Sequence, residues 1–144
     1  MSATAWALYN KAKKYIGNGT IQLGTTSVKM KLTTSASNAS TLTLSTFASI
    51  TGEISARGGY VAGGRALASL IWTVGASAKQ YKFNSADLVF TASGSALNNV
   101  KYAVIGVSGG KALCYSKLSA SQFTITSPNT LTIQMNSSGI FTMV

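Results

Sequence analysis

Val28-Lys29-Met30-Lys31-Leu32 alternates apolar and polar side chains with a period of two, and after Gly19 this alternation recurs in one short run after another. Gly, Asn and Ser punctuate the runs. Residues two apart share one side of an extended strand, so a chain patterned this way buries its Val, Ile, Leu, Phe and Tyr by stacking sheet on sheet. Besides Val28 to Leu32, whose Val28, Met30 and Leu32 should face the core, strands are expected at Thr20 to Leu23, Thr41 to Leu44, Ser49 to Ser55, Ala66 to Val74 and Lys79 to Phe83. Further strands are expected at Leu88 to Thr91, Lys101 to Val107, Lys111 to Leu118, Gln122 to Thr126, Thr130 to Met135 and Ile140 to Val144. Roughly ten short strands with no crossover helix between them define an all-β fold class, a β-sandwich or jelly-roll-like barrel with a short N-terminal helix.

That helix is expected over Ala3 to Ile16, where Trp6, Tyr9 and Lys13, with Leu8 and Tyr15 one step off, approach helical spacing. Ser2 or Thr4 would cap it, and Gly17-Asn18-Gly19 would end it. Thr25-Thr26-Ser27 should connect two strands, and Thr33 to Ser40 reads as an exposed loop. Ser108-Gly109-Gly110 and Ser127-Pro128-Asn129 each have the turn chemistry of a hairpin. The length favours one domain over residues 1–144, with a helix or arm at 1–17 and the sandwich at 18–144.

Charge narrows the choice of partner. Twelve Lys and Arg stand against only Glu53 and Asp87, giving a net charge of +10. A field of that sign favours an acidic partner, whether nucleic acid, an anionic membrane or an acidic protein assembly. Nucleic acid is disfavoured because, after Lys31, the basic residues fall singly instead of gathering with aromatics on one face. Charged residues are 10% of the chain, against roughly 25% in an ordinary soluble domain, so Ser, Thr, Asn and Gly must supply the polar surface. No apolar run approaches the roughly 18 residues of a membrane span, no secretory signal is evident, and the lone Cys114 lies in a strand-like run. These features lead to the expectation of a reducing, soluble compartment and no membrane partner.

Histidine is absent, which removes the commonest general base and the commonest metal ligand. One cysteine and two carboxylates add too little for a zinc or calcium site, so neither a metal nor a cofactor is expected. Glu53 and Asp87 are the right residue types for a glycosidase pair, yet a role as counter-ion or cap is the simpler account in a chain rich in Lys and Arg. The run Gly58-Gly59-Tyr60-Val61-Ala62-Gly63-Gly64-Arg65 lacks the Gly-Lys-Ser/Thr ending of a phosphate loop. A tight backbone arrangement is expected there, with Gly58, Gly59, Gly63 and Gly64 supplying positive dihedrals or close approach. The chain is not expected to be an enzyme.

Thr51-Gly52-Glu53-Ile54, Gly59 to Leu67, Phe83-Asn84-Ser85-Ala86-Asp87-Leu88, Lys101 to Ile105 and the ending Gly139-Ile140-Phe141-Thr142 together resemble a family of small virion proteins of tailed bacteriophages. The resemblance runs in order from the opening helix to the C-terminus. It implies a β-sandwich exposed on the virion, a capsid decoration or cement protein that assembles as a homo-oligomer, with a trimer favoured. It also implies that the partner is the major capsid protein or another virion protein, and that the chain is made in the cytoplasm of the host bacterium. The recurring acidic positions fall on Glu53 and Asp87. Glu53 would then pair with Arg57 or Arg65, and Asp87 would accept backbone hydrogen bonds where a strand begins. Scarce acids and the Ser/Thr-rich stretch before Leu42 depart from the family pattern.

On this reading Lys11, Lys13, Lys14, Lys29 and Lys31 contact the acidic shell, although Lys11, Lys13 and Lys14 would equally complement the dipole of the helix they end. Two alternatives stand beside it. One is a neck, tail or head-fibre component that stacks host glycans on Trp72, Tyr60 or Tyr81, and the other is a basic nucleic-acid-binding module.

Overall fold

The computed structural model describes residues 4–137 and 139–143. In chain order the elements are β1 (Ala7–Leu8), α1 (Asn10–Gly17), β2 (Lys29–Thr33), a 3-10 turn (Phe47–Ser49), β3 (Arg65–Ala66), β4 (Ile71–Val74) and β5 (Tyr81–Asn84). They continue with β6 (Leu88–Thr91), β7 (Leu97–Val100), β8 (Tyr102–Gly106), β9 (Ala112–Lys117), β10 (Phe123–Ile125), β11 (Thr130–Ile133) and β12 (Phe141–Met143). The fold is all-β, as the alternating pattern requires, with antiparallel sheets and one short helix. It is sandwich-like, and its strands divide among a five-stranded sheet β1-β9-β8-β2-β3, a three-stranded sheet β12-β5-β4 and the pairs β10-β7 and β11-β6.

The five-stranded sheet is the centre of the molecule because both of its faces are covered. Registers Lys31↔Val104, Val104↔Tyr115 and Ala7↔Tyr115 place these residues on one face, while Leu8, Cys114, Ile105, Met30 and Leu32 fall on the other. The second face is the expected core face, and Val28, Met30 and Leu32 are buried. The first face is roofed by α1 and by the segment around Ala39 and Phe47. Tyr9 packs on Tyr115 at 5.7 Å between ring centres and donates its hydroxyl to the Ala39 carbonyl. Phe47 fills the space left by the missing side chain of Gly106. The stretch Thr33 to Ser40 is therefore not simply an exposed loop, since Thr33 ends β2 and Ala39 is buried.

Several expected elements take a different form, each for a local reason. The helix begins only at Asn10, because the backbone before it pairs with β9 through Ala7↔Tyr115 and Leu8↔Cys114. Trp6 and Leu8 thus belong to a period-two pattern, and the helix cap is Tyr9, with no side-chain cap bond, in place of Thr4. The alternative cap Ser2 and the expected helix start Ala3, like the strand end at Val144, lie outside the described residues. Thr20 to Leu23 and Thr41 to Leu44 form turns, and Ser49 to Ser55 forms only the single bridge Thr33↔Glu53. Ala66 to Val74 divides into β3 and β4 around Ser69, which takes a positive φ of 55°. Strand β7 lies outside the expected strands; its Asn98-Asn99 pair is poor strand material, and Asn99 has a φ of 61° within it.

Ser108-Gly109-Gly110 joins the hairpin β8-β9 as its turn chemistry predicts. Ser127-Pro128-Asn129 does not close a hairpin, because β10 pairs with β7 and β11 with β6, so this turn carries the chain from one pair to another.

Candidate partner-binding surface

On α1, Ala12 is buried while Lys11, Lys13 and Lys14 are exposed, so the helix turns its cationic side outward. Lys111, from the turn end of the β8-β9 hairpin, adds a fourth cation by lying over the Tyr15 ring, 4.8 Å from its centre. The sequence reading missed Lys111 because nothing local ties it to the helix. Lys29 is half-buried and sits between Gly106 and Ala66, on a strand separated from β9 by β8.

Lys31 corrects the expectation more sharply. It is buried, its Nζ donates to the Phe47 carbonyl at 2.8 Å and lies 4.2 Å from the centre of the Phe47 ring, and it cannot reach a partner's surface. Burial lowers its pKa, while the charge of Glu53 acts in the opposite sense. Alternation placed Lys31 on a polar face, but that face is roofed.

Glu53 is held differently from the expected ion pair with Arg57 or Arg65. Its Oε2 accepts from the Tyr60 hydroxyl at 2.6 Å and from the Gly63 N–H at 2.8 Å. Tyr60 in turn accepts the Leu32 N–H at 3.1 Å, so a single tyrosine ties the glycine loop to β2. Burial, and then the bond to Glu53, push the Tyr60 pKa up. Arg65 instead donates to the Val89 carbonyl, and Arg57 is exposed. Gly58, Gly59, Gly63 and Gly64 all have positive φ, and a side chain at Gly64 would run into the Met30 carbonyl. Asp87, just before β6, accepts the Met135 N–H at 2.7 Å. Both carboxylates of the chain are thus engaged by internal hydrogen bonds in separate loops.

The expectation that no Ser-x-x-Lys sequence occurs, which leaves a serine-lysine nucleophile pair without a motif, is wrong, since Ser108-Gly109-Gly110-Lys111 has that spacing. On a helix that spacing brings the two side chains onto one face. Here it spans a β-turn, and the lysine is committed to the Tyr15 ring.

An apolar groove and an aromatic pair are open to solvent. A groove of about 1150 Å³ separates β1 of the central sheet from β11 and β12; Trp6, Leu8, Leu118, Leu131, Ile133 and Ile140 contribute apolar lining, and Lys13 is the one charged residue among the described residues that line it. At the far end of β4 and β5, Trp72 and Tyr81 pair at 5.8 Å, with Tyr81 and Val74 each 47% exposed. Tyr60, the other aromatic considered for glycan stacking, is buried. No helix among the described residues is long and apolar enough to cross a membrane. No family model, curated protein or solved structure matches the chain.

Proposed function

We propose that this chain is a structural protein of a phage virion, a decoration or cement protein that attaches to the outside of an acidic capsid shell and stabilises it. The observation that supports this reading best is the unopposed cationic side of α1. Lys11, Lys13 and Lys14 point outward with Lys111 nearby, while both acids of the chain are engaged internally. The resemblance of the Glu53, Gly59 to Leu67 and Phe83 to Asp87 segments to phage virion proteins supplies the biological setting. A subunit that binds the assembled shell and not its dissociated parts stabilises the shell by linkage. Many copies, acting as oligomers with a trimer favoured, strengthen weak contacts through effective concentration.

The test is binding to purified shells stripped of surface proteins. Replacing Lys11, Lys13 and Lys14 together by Gln should weaken binding by about tenfold, since three exposed contacts of roughly 0.5 kcal/mol each sum to about that factor. The salt dependence of binding should become shallower at the same time. Equal affinity and equal salt dependence in the triple variant would remove the reading. The Trp72–Tyr81 pair supports a second reading, a tail or fibre component that stacks a host glycan on these rings. A loss of cell-surface binding in Trp72→Ala, with shell binding retained, would favour it.

A further inference from the structure

The groove beside β1 has the form of a sandwich with a strand position left open. Its floor is the second face of the central sheet, reached through Leu8 and Leu118, and its opposite wall is β11 and β12. Among the described residues, all three strands that border it, β1, β11 and β12, stand at sheet edges. Among the described residues β1 pairs with β9 alone, and β11 with β6 alone. The direction of each edge follows from the ladders. Tyr9 donates its N–H to Leu113, in step with Ala7↔Tyr115, so the peptide groups of Leu8 face away from β9. Ala92 donates to Asn129, in step with Phe90↔Leu131 and Leu88↔Ile133, so the peptide groups of Thr132 face away from β6. An exposed row of this kind is a template for another strand.

We propose that the groove receives an extended peptide segment of the protein partner, added as a strand along the open edge of β11, with alternate apolar side chains over Trp6, Leu8 and Ile140 and an acidic side chain at Lys13. The proposal rests on the shell-binding reading and deepens it. Size, chemistry and charge select this occupant. A volume of about 1150 Å³ exceeds the roughly 300–1,000 Å³ of small-molecule sites and suits a peptide. Strand addition draws affinity from main-chain bonds and specificity from alternate side chains, and the groove offers both. Among the described residues the lining includes Lys13 and no acidic side chain, in a chain of net charge +10, so a segment from an acidic surface is attracted while a second copy of this chain meets charge of its own sign.

The experiment needs no shell, so its failure is separate from failure of shell binding. The protein is titrated with a short synthetic peptide of alternating threonine and valine carrying one glutamate, and amide hydrogen exchange is read by NMR. Exchange should slow by about tenfold or more at the Thr132 and Gln134 amides. Thr132→Pro removes the outward N–H without removing a bond of the β11-β6 ladder and should abolish the effect. Thr132→Val, which keeps the N–H, should bind as the wild type does, and Lys13→Glu should weaken binding by about threefold. Unchanged exchange with peptide, or a Thr132→Pro variant that binds like the wild type while its spectrum stays native, overturns the proposal. Protection that appears with rising protein concentration and no peptide also overturns it, because a second copy then fills the groove.

Discussion

Tyr60 shows how much of this fold passes through single side chains. Its hydroxyl donates to Glu53 and accepts from the Leu32 N–H, so removing it takes one of two donors from the Glu53 carboxylate and leaves the Leu32 N–H without its acceptor. Tyr60→Phe should lower the unfolding free energy by about 1.5–3 kcal/mol, the range for a bond to a charged group, as measured by denaturant titration. Alkaline pH tests the same residue with others. Burial raises the pKa of Tyr9, Tyr60 and Cys114 above their ordinary values of 10.0, 10.0 and 9.0. Above those ordinary values the unfolded chain releases three protons that the folded chain retains, so stability is full below about pH 9 and falls as pH rises beyond it. Lys31 opposes this, because its lowered pKa makes a penalty at neutral pH that is relieved towards 10.5. Three groups against one give a net decline, which thermal midpoints between pH 8 and 11 would follow; a midpoint that rises over that range contradicts the burial of these groups. Sequence alone identified Glu53 as a fixed acid but chose the wrong partners, since charge pairing is visible in a sequence and a tyrosine brought by a loop is not.

At the scale of elements, short runs with turn residues on both sides were legible, and context defeated the rest. Leu88 to Thr91 is β6 as read, and Lys111 to Leu118 and Lys101 to Val107 hold β9 and β8 with trimmed ends. Trp6 and Tyr9 fitted a helix by spacing, yet pairing with β9 extended the chain as far as Leu8, because a ladder supplies main-chain bonds that a helix this short provides poorly. Lys31 read as solvent-facing because alternation reports two faces and not whether the second is roofed. The glycine loop was legible in kind. Gly64 combines a φ of 88° with a backbone approach to Met30 that leaves no room for a methyl group. Gly64→Ala should therefore destabilise the fold by more than about 2 kcal/mol, whereas Gly94→Ala, where φ is also positive but nothing lies within 4 Å, should cause a smaller loss. Equal losses at the two sites would mean that the β2 contact does not matter.

For the whole molecule, charge and hydrogen bonding separate two responses. Histidine is absent and the surface is dominated by lysine, so shell binding should be nearly level between about pH 5 and 8 and should weaken with added salt. Binding assays across both variables check this, and a steep fall over that pH range with shell charge unchanged would contradict it. The basic surface itself was only partly readable. The lysines of α1 were evident as neighbours in sequence, but Lys111 reaches them through the β8-β9 hairpin, and the groove combines residues from the first and last parts of the chain. A pattern confined to nearest neighbours carries no sign of either.

Cys114 occupies the middle of β9 with no exposed surface and is the chain's sole thiol. A maleimide reagent can reach its sulfur only when the centre of the molecule comes apart, so the rate of alkylation acts as a clock for opening events in an otherwise unlabelled protein. If the chain attaches to a shell as proposed, the same clock runs on free and attached copies alike. Slower alkylation on assembled particles would measure, in one number, how firmly attachment holds each copy closed.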